Sequence, residues 1–293
     1  MQIKNLFALV GCILLLLAAV LFVHLATTTE DYSRYNIQWN GTSVLFERAG
    51  DLGAVTITDL DDLDAYPHSR LLLIAPGAAF DDEAIARYRD YVEAGSTLVL
   101  ADDFGTANQL LAGLGSTIRI QDGNLSSMDA EYSNPHTVLA YRSANSTLTE
   151  GVEIVVMNRP ASLTGGEILL ETSILSFVDT DGDLHIDADE TLGKHGVVAY
   201  ERIGEGDLFV LADPSLFING MLTLGSVRDN QQFVQNILEG NETLLIDLTN
   251  SETTSGSAVT SLLAAVKSTT IIKIILICTV LLLVAYAFRR NIL

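Results

Sequence analysis

The residues with the clearest chemical potential are the acidic side chains between Asp179 and Glu190. The segment reads Asp-Thr-Asp-Gly-Asp-Leu-His-Ile-Asp-Ala-Asp-Glu, which places carboxylates at positions 1, 3, 5, 9 and 12 of a calcium-type loop. Hard oxygen ligands at that spacing suit Ca²⁺, with a backbone carbonyl at position 7 and a bidentate Glu at position 12. The predicted metal ligands are Asp179, Asp181, Asp183, His185 through its carbonyl oxygen, Asp187 and Glu190.

One residue departs from this pattern, because Leu184 stands at position 6, where a calcium loop has glycine. A leucine in the left-handed conformation costs on the order of 1 kcal/mol, although Gly182 can relieve the turn in a variant loop. The flanking sequence is strand-like, so we expect an isolated loop that braces two strands rather than a helix pair that opens on binding. The alternative is an acidic, solvated hairpin loop without a metal.

A second set of polar residues follows the predicted strands of the domain. Open α/β folds bind ligands beyond the carboxyl ends of their strands, which makes this edge a candidate ligand-binding cleft. Its predicted lining is Pro76, Gly77, Asp102, Asp103, Asn108, Asp213, Ser215 and Asn219. These residues can form a polar pocket for a small molecule or peptide. Asp and Asn also cap helices and fix turns, and we favour that structural role.

Several common catalytic and metal chemistries lack their residues. No G-x-S-x-G elbow occurs, and both cysteines, Cys12 and Cys278, lie in apolar terminal segments. His185 and His195 are too far apart in sequence for the short ligand spacing of a zinc site. We therefore predict no catalytic residue and no cofactor other than a structural calcium ion.

The elements that must position these residues alternate between strand and helix. Arg70–Ala75 and Thr97–Ala101 are continuous apolar runs, typical of strands buried on both faces of a parallel sheet. Between them, Asp81–Ala94 has the pattern of an amphipathic helix that ends at Gly95. Further helices are predicted at Ser43–Gly50, Thr106–Gly113 and Asn230–Leu238, and further strands at Ala54–Ile57, Thr117–Ile120, Thr137–Tyr141, Val152–Met157, Ile168–Val178, Val197–Arg202, Asp207–Ala212 and Leu244–Leu248. This order predicts an α/β fold with a doubly wound, mostly parallel sheet and an inserted β layer after Gly123.

Two apolar segments flank this domain. Leu6–Ala26 and Ser268–Phe288 are nearly free of charged residues, and each is long enough to cross a hydrocarbon core of about 30 Å as a helix. Lys4 precedes the first segment and Arg289–Arg290 follows the second, so the positive-inside rule places both termini in the cytoplasm. The sequence predicts a two-span protein of the cell membrane, in contact with the lipid bilayer, whose main domain is extracellular.

The predicted organisation is a cytoplasmic N-terminus (1–5), a first transmembrane helix (6–26), an extracellular α/β domain (27–249), a Ser/Thr-rich stalk (250–267), a second transmembrane helix (268–288) and a cytoplasmic C-terminus (289–293). The part outside carries 12 basic and 37 acidic residues, a net charge of −25. Such a surface repels nucleic acid and anionic lipid, which excludes a nucleic-acid partner. The predicted N-glycosylation acceptors are Asn40, Asn124, Asn145 and Asn241.

Three segments carry a resemblance to a known family: Tyr35–Ser43, Leu100–Asn108, and Ala212–Asn219 with Asp229 and Asn230. With these motifs, most of the chain from Tyr35 to Leu248 resembles an archaeal membrane-protein group, domain-of-unknown-function family 4350. That family is similar to class I glutamine amidotransferase-like and gliding-motility GldG-like domains, which implies a flavodoxin-like fold. The resemblance also implies envelope-protein partners, including a MoxR-associated module.

An active amidotransferase of that fold needs a cysteine nucleophile at a strand-to-helix elbow. Here the turn after Thr97–Ala101 carries Asp102 and Asp103 instead. We therefore expect a double-anchored envelope protein whose inactive outer domain serves in ligand or partner binding, or as a scaffold. The alternatives are a divergent hydrolase or amidotransferase-like enzyme that uses Asp102, Asp103 or Asp213, and an accessory subunit of a transport or secretion complex. Trp39, the only tryptophan, is expected to pack under the first helix of the domain.

Overall fold

The computed structural model describes residues 28–129, 131–132, 134–188, 190–223 and 228–254. The α-helices in these ranges are α1 (Ser43–Asp51), α2 (Asp82–Glu93), α3 (Asn108–Gly113), α4 (Asn219–Thr223) and α5 (Asn230–Leu238). The strands are β1 (Val55–Ile57), β2 (Arg70–Ile74), β3 (Thr97–Ala101), β4 (Arg119–Ile120), β5 (Asn124–Ser127), β6 (Thr137–Arg142), β7 (Ile154–Asn158), β8 (Leu163–Thr164), β9 (Glu167–Thr172), β10 (Ser176–Asp179), β11 (Gly196–Ile203), β12 (Gly206–Leu211) and β13 (Leu244–Asp247). Short 3₁₀ turns cover Leu60–Ala65, Thr147–Thr149, Pro214–Phe217 and Glu252–Thr254.

The main sheet has two halves that differ in strand direction. Strands β1, β13, β2, β3 and β12 lie side by side in that order, and each neighbouring pair is parallel. From β12 the sheet continues through β11, β9, β6 and β7 in antiparallel pairs. Strands β4 and β8 pair with each other, and β8 also pairs with β11. Strands β5 and β10 form a separate antiparallel pair.

The centre of the parallel half confirms the predicted alternation of strand and helix. Every residue of β2 and β3 is buried, and the two strands pair with Leu72 opposite Val99. A strand covered on both faces has no polar side, which explains the unbroken apolar runs in the sequence. Helix α2 begins after Asp81, whose side chain accepts a hydrogen bond from Ala84 N at 2.7 Å, and ends before Gly95, which has a φ of +102°.

Two predictions for the β-rich part are corrected. Ile168–Val178, predicted as one strand, contains the break between β9 and β10, which belong to different sheets. The break lies at Ser173, whose hydroxyl accepts a hydrogen bond from Leu175 N at 3.2 Å and donates one to Asp129 at 2.7 Å. These local bonds compete with the sheet ladder. The inserted β residues also do not form one layer, because β6, β7 and β9 extend the main sheet and only β5 and β10 lie apart.

The predicted membrane spans, 6–26 and 268–288, lie outside the described residues, and within the described ranges no helix has the length and apolar character needed to cross a bilayer. Residues 250–254, predicted to be the first part of the stalk, are instead packed on the domain. The hydroxyl of buried Ser251 donates to Ile74 O at 2.6 Å, and Thr253 is also buried. Residues 250–254 therefore pack on the domain as part of its fold.

Candidate functional site

The carboxyl ends of the parallel strands bring most of the predicted cleft residues to one edge of the sheet. Strand β2 leads into Pro76 and Gly77, β3 into Asp102 and Asp103, and β12 into Asp213. Parallel pairing requires this convergence, because all carboxyl ends then point the same way. The contacts of each side chain decide whether the edge is a ligand site or a set of turns.

Asp102 holds the turn that follows β3. Its carboxylate accepts hydrogen bonds from Phe104 N at 2.9 Å and from Ala107 N at 2.8 Å. The residue is buried, and this burial raises the pKa of its carboxyl group although the backbone donors oppose the shift. Asp102 therefore acts as the structural link between β3 and α3.

Asp213 has the same kind of role after β12. Its carboxylate accepts hydrogen bonds from Ser215 N at 2.8 Å and from Asn158 N at 2.7 Å, and also from the Ser215 hydroxyl. The residue is fully buried, which raises its pKa to about 6 despite these donors. Asp213 therefore joins the end of β12 to the end of β7, and Ser215 is committed to the same turn.

Asp103 differs from both neighbours. Its Oδ1 atom is buried and has no hydrogen-bond partner among the residues that the structure describes. Burial raises the pKa of this carboxyl to about 8, with further increases from the charges of Asp213 and Asp102 and an opposing effect from Arg159. Burial also raises the pKa of Tyr32, and Asp103 and Asp213 add to that shift. Tyr32 and Arg159, which the sequence did not single out, thus belong to the surroundings of Asp103.

The two predicted asparagines fix backbone segments. Asn108 pairs with both backbone groups of Ile120, donating to its carbonyl at 2.8 Å and accepting from its N–H at 2.9 Å. Asn219 accepts from Val44 N at 2.8 Å, which caps α1, and donates to Gln38 O at 2.7 Å. For Asp102, Asp213 and both asparagines, the structural interpretation favoured from the sequence agrees with these contacts.

Pro76 and Gly77 lie against the last described residues of the chain. Pro76 forms an isolated bridge with Ser251, and a β-carbon on Gly77 would lie 2.7 Å from Glu252 Cγ. A cavity of about 300 Å³ occurs here, lined by Gly77, Ala78, Thr249, Asn250, Ser251 and Glu252. The carboxylates predicted to line the cleft, those of Asp102, Asp103 and Asp213, do not line this cavity.

The outer edge of the sheet, strand β7, is covered by side chains instead of another strand. Asp229 Oδ2 accepts from Ile154 N at 3.0 Å, and Asn230 both accepts from Val156 N at 2.8 Å and donates to Val156 O at 2.7 Å. Asp213 accepts from the N–H of Asn158, the last residue of β7, at 2.7 Å. In the sequence, Asp229 and Asn230 stand out only as part of the segments that carry the family resemblance. Their position at the start of a predicted helix indicates that they cap α5. It does not indicate that their side chains bind the edge of β7.

The acidic loop after β10 has the geometry expected for positions 1, 3 and 5 of a calcium loop. Asp179, Asp181 and Asp183 each offer a carboxylate oxygen, and these three atoms lie within 4.8 Å of one another. Asp179 accepts from Gly182 N at 2.7 Å and from Leu184 N at 3.1 Å. Leu184 has a φ of +66°, the left-handed conformation that position 6 of such a loop requires.

The later part of the loop is held by Glu190. This buried residue accepts from Thr180 N at 2.7 Å and from Asp187 N at 3.3 Å. His185 lies with its ring Nδ1 2.8 Å from Asp183 O and is exposed. Glu190 therefore closes the loop, whereas the converging carboxylates are those of the Asp179, Asp181 and Asp183 group. Within the described ranges this is the one group of three or more His, Cys, Asp or Glu residues with metal-binding geometry.

The predicted glycosylation acceptors differ in accessibility. Asn145 and Asn241 are exposed. Asn124 is partly buried and donates to Arg159 O at 3.0 Å, and Asn40 is partly buried and donates to Asp31. The first two asparagines are therefore open to modification, whereas the amides of the other two are engaged in the fold.

Trp39 is not packed under α1 as predicted, since 67% of its surface is exposed. Its backbone carbonyl accepts from Gly220 N at 2.7 Å, which holds the loop while leaving the ring outside. Trp39 also borders an apolar cavity of about 300 Å³ whose lining includes Tyr132, Met157 and Ile218.

Solved structures are similar to this chain at low sequence identity. The mmIFT52 N-terminal domain is 15% identical, with a TM-score of 0.53 over 68% of this chain and 91% of that one. A putative ThuA-like protein from Bacteroides uniformis is also 15% identical, with a TM-score of 0.43 over 74% of this chain and 89% of its own. A β-galactosidase from Bacillus circulans is 12% identical, with a TM-score of 0.35; the match spans 53% of this chain and 22% of the enzyme. At such identities only the fold is compared, and only the first TM-score is high enough to support it.

No curated protein matches the sequence. The model of one family, described as a domain of unknown function, DUF4350, matches residues 34–238. This range contains α1 to α5 and every strand except β13, together with both acidic regions. The chain belongs to the DUF4350 family.

Proposed function

We propose that this protein is a double-anchored cell-envelope membrane protein whose outer domain, of the flavodoxin-like and amidotransferase-like kind, binds a ligand or a protein partner without catalysis. The observation that carries this proposal is the commitment of the cleft side chains to the fold. Asp102, Asp213, Asn108 and Asn219 are each hydrogen-bonded to backbone groups of the domain itself. Side chains used in this way hold turns, and they have few remaining atoms with which to act on a substrate.

The proposed partners are the lipid bilayer and envelope proteins, with a MoxR-associated module among them, and both termini are cytoplasmic. A labelling experiment tests this topology. In a chain whose Cys12 and Cys278 are replaced by Ser, a single cysteine is introduced as Gln2→Cys, Asp62→Cys or Asn291→Cys. A membrane-impermeant maleimide should label Asp62→Cys in intact cells, because that residue is exposed on the outer domain. It should label the two terminal variants only after permeabilisation. Labelling of either terminus in intact cells would contradict the topology.

Calcium bracing of the β10 loop is the second part of the proposal. Three converging carboxylates and the left-handed Leu184 support it. Calorimetric titration of Ca²⁺ into the segment 28–254 should give one binding event and a higher melting temperature. Binding at a hundredfold excess over Kd stabilises a protein by about 2.7 kcal/mol. Asp179→Ala combined with Glu190→Ala should abolish both signals, and Mg²⁺ should bind less well because it prefers an octahedral shell with several waters. A flat titration would remove calcium from the proposal.

A specific observation favours one alternative, a divergent hydrolase or amidotransferase-like enzyme. Asp103 has a buried oxygen without a hydrogen-bond partner among the described residues, and its pKa is about 8. A carboxyl with such a pKa is suited to general acid or base catalysis near neutral pH. The test uses p-nitrophenyl acetate and glutamine as probes of esterase and amidase activity. Turnover by the wild type that is lost in Asp103→Asn, with an unchanged melting temperature, would favour the enzyme. Equal background rates for both proteins would favour the binding domain.

A further inference from the structure

The two ends of the described chain lie next to each other. Arg34 N donates to Thr253 O at 2.9 Å, and Glu252 N donates to Ala75 O at 3.0 Å, directly after β2. The entry and exit of the domain are therefore both at the carboxyl edge of the parallel strands. Two anchors attached to one edge orient the domain, because that edge must then face the anchors.

The distance between the first predicted span and the domain is short. Ala26 is the last residue of that span, and Glu30 is already held in the fold, since its carbonyl accepts from Asn36 Nδ2 at 2.9 Å. Four residue steps separate them, which a fully extended chain covers in no more than about 14 Å. A bilayer adds about 5 to 7 Å of headgroup region on each side of its hydrocarbon core. The carboxyl edge is therefore constrained to lie close to the headgroups.

The loop that follows Glu30 presents apolar side chains at this position. We define it as the tether loop, residues 30–41. Its ends are joined by Tyr32 N donating to Asn40 O at 2.9 Å, and a side chain on Gly41 would collide with the carbonyl oxygen of Asn36. Ile37 and Trp39 project from this hydrogen-bonded frame with 66% and 67% of their surface exposed. Phe104, 75% exposed, lies in the turn after β3 at the same edge.

We propose that the tether loop inserts Trp39 and Ile37 into the headgroup region of the bilayer, so that the carboxyl edge of the sheet faces the membrane. This inference rests on the proposed double anchor. Tryptophan suits the role because its amphipathic ring is enriched at the membrane–water interface. We choose lipid rather than a protein as the binding partner because the connection to the first predicted span is short. This connection holds the tether loop next to the headgroups.

The charge around the loop selects the kind of headgroup. Arg34 N donates to Thr253 O at 2.9 Å, which places Glu252 beside the start of the tether loop, where Glu30 and Asp31 lie. Burial raises the pKa of Glu252, and the charges of Asp31 and Glu30 raise it further. Carboxylates at this edge are repelled by anionic lipids. The tether loop is therefore matched to zwitterionic headgroups such as phosphatidylcholine.

Trp39 is the only tryptophan of the sequence, so the intrinsic tryptophan fluorescence of the full chain reports on the tether loop alone. The full chain is reconstituted in phosphatidylcholine vesicles, with and without a lipid that carries a nitroxide on its headgroup. We expect the nitroxide to lower Trp39 emission about twofold, and a nitroxide deep in the acyl chain to lower it less. The matched control is Trp39→Phe with Leu52→Trp. Leu52 is 49% exposed and lies three residues before the start of β1, at the amino ends of the parallel strands and thus at the opposite edge. Its emission should not change.

Flotation of the vesicles after alkaline extraction separates the two proposals. If the full chain floats and Trp39 is quenched no more than the Leu52→Trp control, the membrane-facing loop is overturned while the double anchor stands. If the chain does not float, the anchor fails and the inference fails with it. Replacing a third of the phosphatidylcholine by phosphatidylglycerol should weaken the quenching; stronger quenching in the anionic vesicles would overturn the assignment of zwitterionic headgroups.

Discussion

The carboxyl edge of the sheet and the loop after β10 are both rich in acids, but they use the carboxylate in different ways. At the edge, Asp102 and Asp213 are buried, and each points at N–H donors of nearby turns. In the loop, Asp181 and Asp183 are exposed, and they bring their oxygens together with that of Asp179. The comparison shows that the number of acids does not distinguish the two regions. Only in the loop do the carboxylate oxygens converge on one point, which makes the loop the candidate metal site.

The largest expected effect is at the edge. Asp213→Ala leaves two backbone N–H groups and the Ser215 hydroxyl without their acceptor in a fully buried position. Unsatisfied buried donors and a lost charged acceptor should lower the free energy of unfolding by about 4 kcal/mol. Urea denaturation of the segment 28–254 measures this change. The control is Asp181→Ala in the exposed loop, which should change the free energy by less than about 0.5 kcal/mol. Equal effects of the two substitutions would contradict the comparison.

The next effect is a pH dependence that belongs to the edge alone. Because the pKa of Asp103 is raised from 3.8 to about 8, the folded domain keeps a proton that the unfolded chain releases. The stabilisation from this group is complete below about pH 4 and is lost as the pH rises through 8, by at most about 1.4 kcal/mol per pH unit for one proton. Asp103→Asn should reduce this slope in urea unfolding at pH 5, 6.5 and 8, most clearly between pH 6.5 and 8, because Asp213, with a pKa of about 6, contributes mainly at lower pH. A slope that is the same in both proteins would show that Asp103 is not the titrating group.

A smaller effect tests the backbone of the loop. Leu184 has a φ of +66°, so Leu184→Gly should stabilise the segment by about 1 kcal/mol and tighten Ca²⁺ binding. Gly182 has a φ of +79°, and a β-carbon added to it would have no atom within 4 Å. Gly182→Ala should therefore cost about 1 kcal/mol through backbone strain alone. Thermal melting with and without Ca²⁺ measures both variants. Opposite signs are expected, and a destabilising Leu184→Gly would contradict the left-handed conformation of this residue.

The smallest effect concerns repulsion within the loop. Without Ca²⁺, Asp181→Asn should stabilise the segment by about 0.3 kcal/mol at low salt, because it removes one of three close negative charges, and 1 M salt should erase the gain. With saturating Ca²⁺ the same substitution should be destabilising, since a ligand is lost. Melting curves in the four conditions measure this reversal. A substitution that has the same effect with and without Ca²⁺ would indicate that the loop does not bind the ion.

The sequence predicts the parallel half of the sheet well because its strands are buried on both faces. Continuous apolar runs located β2 and β3, and the acid-rich first turn located α2, whose cap at Asp81 is local. The break at Ser173 was missed because Ile168–Val178 has strand-forming residues on both sides, and only the contact with Asp129 identifies the turn. Local signals thus specify elements, but not where a strand leaves one sheet for another.

For the candidate sites the same limit applies. The spacing of the loop acids predicts the convergence of Asp179, Asp181 and Asp183, because this geometry depends on neighbouring residues. Glu190, also predicted as a ligand, is not part of this group and accepts from Thr180 N instead. The environment of Asp103 could not be predicted, since it combines Tyr32 and Arg159 from distant parts of the chain. Nor could the exposure of Trp39, because an isolated aromatic residue in a loop has no periodic pattern to show which way it points.

The cover over strand β7 has a consequence for crowding. Proteins tethered to one surface meet side by side, and an open strand edge would let neighbouring sheets join into a ribbon. In this chain Asp229, Asn230 and Asp213 already occupy the outward N–H groups of Ile154, Val156 and Asn158. A second molecule that approaches β7 therefore finds these three N–H groups already occupied, so edge-to-edge pairing through this strand is blocked.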